Sequence, residues 1–156
     1  EIIAGLVVTF FQGKITDFAI LVTFMPIVMA MGGNVGSQSA TVIIQGAALG
    51  KIDTSKWSRV ILKELTVGAL MGIVIGLLLG IVAPLWEGDA QLGIIVGVAI
   101  FSAMLFASLT GSMVPITLMK LKFDPAIASA PFITALNDIT GLTIYFLISM
   151  ILLMIM

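Results

Sequence analysis

The sequence predicts an all-α membrane protein, a polytopic bundle of five hydrophobic segments. Three observations carry that expectation. Of 156 residues, 60% are hydrophobic and only 10% are charged, whereas a water-soluble domain carries about 25% charged residues. The mean hydropathy is +1.27. The few charges lie in short linkers and leave long uncharged runs between them.

The first apolar stretch, residues 2–11, is shorter than the roughly 20 residues a helix needs to cross a bilayer. With Glu1 in place of an initiator Met, it is read as the tail of a helix that begins in a longer protein. No basic n-region of a secretory signal is present. Residues 18–50 are uncharged and exceed one straight span, so this segment must tilt, break or project past the bilayer. Residues 65–86 fit one span, residues 90–119 again exceed one, and 126–156 form the last, interrupted by a single acid.

The linkers alternate in charge. Gln12–Asp17 holds Lys14 and Asp17. Gly50–Glu64 holds Lys51, Lys56, Arg59 and Lys63. Pro84–Gln91 holds Glu87 and Asp89, and Lys120–Pro125 holds Lys120 and Lys122. By the positive-inside rule, 50–64 and 120–125 face the cytoplasm of a cell bounded by this inner, or plasma, membrane. Trp57 and Trp86 mark span ends, where amphipathic rings favour the interface. Gly68, Gly72, Gly76 and Gly80 recur every four residues and line one helix face for close packing. Glu64 beside Lys63 reads as a helix-end ion pair.

Several chemistries are excluded. Without Cys or His there is no disulfide, no Cys- or His-ligated zinc and no Ser-His-Asp triad. No phosphate-binding G-x-x-x-x-G-K-[ST] loop and no pair of close intramembrane acids occur, so the chain is not read as an enzyme.

Asp138 is the sharpest feature. It lies about 12 residues into the last span, where a charge costs about 2.5–3.5 kcal/mol and marks function by default. Its neighbourhood, Thr134, Asn137, Thr140, Gly141 and Thr143, is unusually polar. Thr134 and Gly141 share its helix face. Thr134 offers a hydroxyl or, if the helix unwinds near Pro131, a carbonyl. Helix–helix glue by a protonated Asp138 is the structural alternative.

The second feature is Pro26-Ile-Val-Met-Ala-Met-Gly-Gly-Asn34-Val-Gly-Ser-Gln38. Pro26 removes a backbone donor, and Gly32, Gly33 and Gly36 weaken the helix or permit close approach. Asn34 and Gln38 project from one face. Helix breaks are expected at Pro26 and Pro131, because discontinuous helices line watery cavities in membranes. Carboxylate, amide, hydroxyl and carbonyl oxygens together suit a hard cation. Asp138 from each of two chains near a two-fold axis suits a dication. Entry of a dication is driven by about 4.6 kcal/mol at 100 mV, inside negative, twice the single-charge value. The residues alone do not separate magnesium from calcium, manganese, sodium or protons.

These two motifs, Pro26 with Met31-Gly-Gly-Asn-Val-Gly-Ser-Gln38-Ser-Ala-Thr41, and Asp124-Pro-Ala-Ile-Ala-Ser-Ala-Pro-Phe-Ile-Thr-Ala-Leu-Asn-Asp138-Ile-Thr-Gly141 followed by Tyr145-Phe146, resemble the signatures of the MgtE family of magnesium channels, as does Lys63-Glu64. The resemblance implies one transmembrane pore domain over residues 1–156, in a Mg²⁺-selective homodimer with the pore between the second and fifth helices. It implies Asp138 and the Thr134 carbonyl around a hydrated Mg²⁺, and Gly33, Asn34, Gln38, Ala130, Asn137 and Gly141 along the path. Mn²⁺ or Ca²⁺ are the expected stand-ins for Mg²⁺. The family's cytoplasmic N-terminal and CBS regulatory domains are expected to lie outside this chain. Ala130 departs from relatives with asparagine there, which bears on selectivity. A secondary transporter coupling H⁺ or Na⁺ to a divalent cation is the alternative mechanism.

Overall fold

The structure is a computed structural model that describes residues 2–15, 18–52 and 57–156. Asp17 and Lys56, counted above among the linker charges, lie outside the described residues. The described chain is helical: α1 (Ile2–Gln12), α2 (Phe18–Ala48), α3 (Trp57–Glu87), α4 (Ala90–Lys120), a short 3-10 turn (Pro125–Ile127) and α5 (Ala130–Ile155). Four of these helices, α2 to α5, are long and apolar enough to cross a membrane. The five expected segments are therefore present, the first as a short helix.

Local chemistry sets the boundaries between the later helices. Gly88 turns the chain with φ of 77°, and Asp89 caps α4 by accepting from the Gln91 amide at 2.9 Å. Asp124 does the same at the 3-10 turn, accepting from the Ala126 amide at 2.8 Å. Ser129 is the N-cap residue of α5, and Pro131 follows in its first turn. That position suits proline, whose missing N–H is needed least there.

The expected helix breaks at Pro26 and Pro131 do not occur. Pro26 sits inside α2, which runs unbroken over 31 residues. Pro131 opens α5 instead of interrupting it, so no unwinding frees the Thr134 carbonyl. Tertiary contacts hold α2 together across its proline. Leu21 and Phe24 are fully buried just before it, and the Tyr145 hydroxyl donates to the Leu21 carbonyl at 3.1 Å. Proline is tolerated in membrane helices where neighbours compensate the disturbed backbone. Tyr145→Phe removes this bond alone. It is expected to destabilise the protein by about 0.5–1 kcal/mol, read as a lower thermal midpoint in detergent.

The glycine ladder of α3 packs as its spacing predicts, and its partner is α4. A Cβ on Gly76 would lie 2.8 Å from the Gly97 carbonyl oxygen, and one on Gly80 would lie 3.2 Å from that of Gly93. Gly72 faces Phe101, and Gly68 faces Ser108. The pairing order makes α3 and α4 antiparallel, and their backbones nearly touch. The outer face of α3 exposes Leu70, Ile73, Val74, Leu77 and Ile81, a surface suited to lipid.

The core lies among α2, α4 and α5. Leu21, Phe24, Val35, Ile95, Ile100, Met104, Leu142, Tyr145 and Phe146 belong to one buried cluster. A smaller cluster joins Ala40 of α2 to Ala128 and Ile133 near the start of α5. The end of α2 and the beginning of α5 are thus neighbours, which brings the basic linkers near 50 and 120–125 to one end of the bundle. Glu64, read above as a helix-end ion-pair residue, is only 4% exposed. Its backbone carbonyl accepts from the Ser108 hydroxyl at 2.7 Å.

Candidate ion pathway

The two motifs singled out in the sequence pack against each other. α5 runs antiparallel to α2, with Ser37 opposite Ala130 at one level and Leu21 opposite Tyr145 at another. The Ser37 hydroxyl lies 3.3 Å from the Ala130 carbonyl, which accepts from it, and 2.9 Å from the Thr134 hydroxyl. Gly33 leaves the room that Thr134 fills: a Cβ there would sit 2.9 Å from the Thr134 methyl. Gly36 likewise admits the Asn137 amide. Three residues of the glycine-rich motif thus seat three positions of α5.

Asp138 is buried, with 6% of its surface exposed. It is the ninth residue of α5, so at 1.5 Å per residue it lies about 12 Å from that helix's start. This is fewer residues from the helix start than the sequence suggests, because α5 begins at Ala130 and not at residue 126. It sits between the Ser37–Thr134 contact and the Tyr145–Leu21 bond, which tie α5 to α2 on either side of it.

The other site candidates separate into two groups. Asn34, Gln38, Ala130 and Pro131 are exposed on the protomer surface. Thr41, which ends the first motif, and Gln45, which lies beyond it, are exposed too, and neither is among the expected site residues. Positions 34, 38, 41 and 45 recur at helical spacing, so they form one polar stripe along α2. The signal was available in that spacing, extended past the conspicuous glycines. Amides facing hydrocarbon are costly, so this stripe needs water or protein against it.

The second group is interior. Gly33 is buried under Thr134. Asn137, expected along the path, is 1% exposed and turned inward. Its amide oxygen accepts from the Thr110 hydroxyl of α4, a residue the sequence did not point to. The reason is rotational: one residue along a helix is a 100° turn, so Asn137 and Asp138 cannot face the same way. Gly141 is buried, yet a Cβ on it would meet no atom within 4 Å. Open space therefore adjoins α5 one turn beyond Asp138. Among the described residues no cluster of three or more His, Cys, Asp or Glu exists.

A bundle of long apolar helices, with one buried acid on α5 and an exposed polar stripe on α2, defines a polytopic membrane protein. Comparison with known proteins makes the class specific. A family profile, MgtE, described as a divalent cation transporter, matches residues 25–148. The chain is 39% identical over 145 residues to the magnesium transporter MgtE of Bacillus subtilis (strain 168), covering 93% of this chain and 32% of that protein. It is 38% identical over 143 residues to the magnesium transporter MgtE of Thermus thermophilus, covering 92% and 32%. A similar match, 38% over 136 residues, is to the magnesium transporter MgtE of Enterococcus faecalis, covering 87% and 30%. The chain spans about a third of the length of these relatives. It belongs to the MgtE family of divalent cation transporters, a family of transport proteins and not of enzymes.

Proposed function

We propose that this chain forms the membrane pore through which Mg²⁺ passes, as a homodimer with α2 and α5 of each protomer around the two-fold axis. The observation that carries the reading is the exposed stripe Asn34, Gln38, Thr41 and Gln45, on a helix bound to the one that holds Asp138. A single protomer leaves the stripe uncovered. A second copy would cover it and enclose a polar route between two α2 helices. The relatives' transport of magnesium supports Mg²⁺ as the cargo.

In this reading Asp138 is the binding carboxylate. Mg²⁺ dehydrates reluctantly and is held through one or two carboxylates with several waters retained. Two symmetry-related Asp138 side chains match that demand and balance the dication. Burial removes screening water and strengthens their field on the ion. Thr134, its hydroxyl held by Ser37, and the Asn34 and Gln38 amides line the approach to the hydrated ion. Mn²⁺ is a plausible surrogate by its ligand preference for oxygen. The basic linkers near 50 and 120–125 face the cytoplasm across the inner membrane, and regulatory domains of the complete protein act from that side.

Passive permeation and ion-coupled transport differ in one measurement. Purified protein in a planar bilayer, with Mg²⁺ as the only permeant cation, is expected to give unitary currents that reverse at the Mg²⁺ equilibrium potential. Mg²⁺ flux that stops without an opposing H⁺ or Na⁺ gradient would establish a coupled transporter instead.

A further inference from the structure

Asn137 and Thr110 fall outside the route itself, yet both are held in an arrangement that packing alone does not explain. Asn137 is 1% exposed. As placed, its amide oxygen takes the Thr110 hydroxyl proton, while its amide nitrogen is buried without a partner. A buried, unmet donor is costly. The Thr110 oxygen also lies 3.0 Å from the Ala107 carbonyl and 3.1 Å from that of Phe106, and its single proton cannot serve three acceptors. Turning the Asn137 amide by half a rotation resolves the competition for the Thr110 proton. The amide nitrogen then donates to Thr110, and Thr110 donates to a carbonyl of α4. This orientation leaves one amide proton and the amide oxygen unmet in place of two amide protons. The amide stays seated against Gly36 of α2.

We propose that this relay, from Asn137 through Thr110 to the α4 backbone, is the positioning device for Asp138, and that it sets how tightly the cation is held. The inference rests on Asp138 being the binding carboxylate. Asn137 immediately precedes Asp138, so fixing one side chain fixes the helix rotation that aims the next. Thr134 and Tyr145 tie α5 to α2 on either side. The Asn137–Thr110 pair ties this stretch to α4, and it prevents α5 from rolling along α2. Two copies of Asp138 hold one hydrated ion between them only if both keep that rotation.

The test is Mg²⁺ flux into proteoliposomes as a function of Mg²⁺ concentration, using Thr110→Val, Thr110→Ala, Thr110→Ser and Asp138→Asn. Thr110→Val keeps the side-chain volume and removes the relay. It is expected to raise the half-saturating Mg²⁺ concentration about tenfold, which corresponds to about 1.4 kcal/mol. Maximal flux per folded protein should change less than about twofold. Thr110→Ala should do the same if the valine variant folds poorly, and Thr110→Ser should restore the native value. A merely structural role would lower folded yield and maximal flux together, with half-saturation unmoved, and that result overturns the inference. Unchanged half-saturation in the Val and Ala variants with a shifted Asp138→Asn overturns the relay and leaves the Asp138 reading standing. Unchanged half-saturation in Asp138→Asn overturns both.

Discussion

Asp138→Ala is expected to reduce Mg²⁺ flux by at least about a hundredfold. Loss even of groups supporting a metal's ligands typically costs 10- to 100-fold, and here the ligand charge itself goes, twice per homodimer. The same variant should insert and dimerise normally. Replacing a buried intramembrane carboxylate by a methyl group relieves a desolvation cost of about 2.5–3.5 kcal/mol, which offsets loss of the side chain's own contact, so the alanine protein should keep its resistance to heat in detergent. Isothermal titration with Mg²⁺ in detergent should lose its binding heat in parallel with flux. The paired signature, transport lost and stability kept or raised, distinguishes an ion ligand from helix glue. If Asp138 bonded helices together, alanine would lower the melting point and asparagine would restore it. Normal uptake by Asp138→Ala would end the proposal.

The second large effect is structural. Gly111 of α4 meets Gly36 of α2 backbone to backbone, and an added Cβ would lie only 2.8 Å from the Gly36 Cα and closer still to its carbonyl oxygen. Neither atom is the far end of a flexible side chain, so the helices themselves must part. Overpacking of this kind costs about 1–3 kcal/mol. Gly111→Ala should therefore lower the thermal midpoint measurably. It should also impair transport more than Tyr145→Phe does, because the displaced contact adjoins Asn137 and the α2 stripe. Gly13→Ala is the matched control, since a Cβ there meets nothing within 4 Å. Equal melting points for the two variants would show that α2 and α4 have slack at this crossing.

Much of this architecture was legible before the structure. Charge-free runs located the four long helices. The four-residue spacing of Gly68, Gly72, Gly76 and Gly80 announced a close helix contact, although spacing does not name the partner, and α4 became visible only with Gly93 and Gly97 opposite. The cost of an intramembrane charge singled out Asp138 from composition alone. Where the reading went astray, a local rule met tertiary packing. Pro26 removes one hydrogen bond, and the burial of Leu21 and Phe24 with the Tyr145 bond offsets that loss, so α2 continues through it as one helix. Asn137 was grouped with Asp138 because they are adjacent, but adjacency on a helix separates directions. Thr110 carried no signal in sequence, being one hydroxyl among several in an apolar run. It gains its role only from the amide that α5 brings against it.

The glycine seam between α3 and α4 bears on how the bundle answers its surroundings. Side chains that interdigitate can re-sort when helices are squeezed, but backbones in direct contact leave nothing to re-sort. The two helices therefore respond to mechanical load as a single plank. Each has 31 residues, about 46 Å of helix at 1.5 Å per residue, against a hydrocarbon layer of about 30 Å. Thinning the bilayer would lean the plank over as a unit. Because α4 also carries Gly111 and Thr110, that lean arrives at the crossing beside Asn137, making lipid thickness a lever on the route that no ligand has to pull.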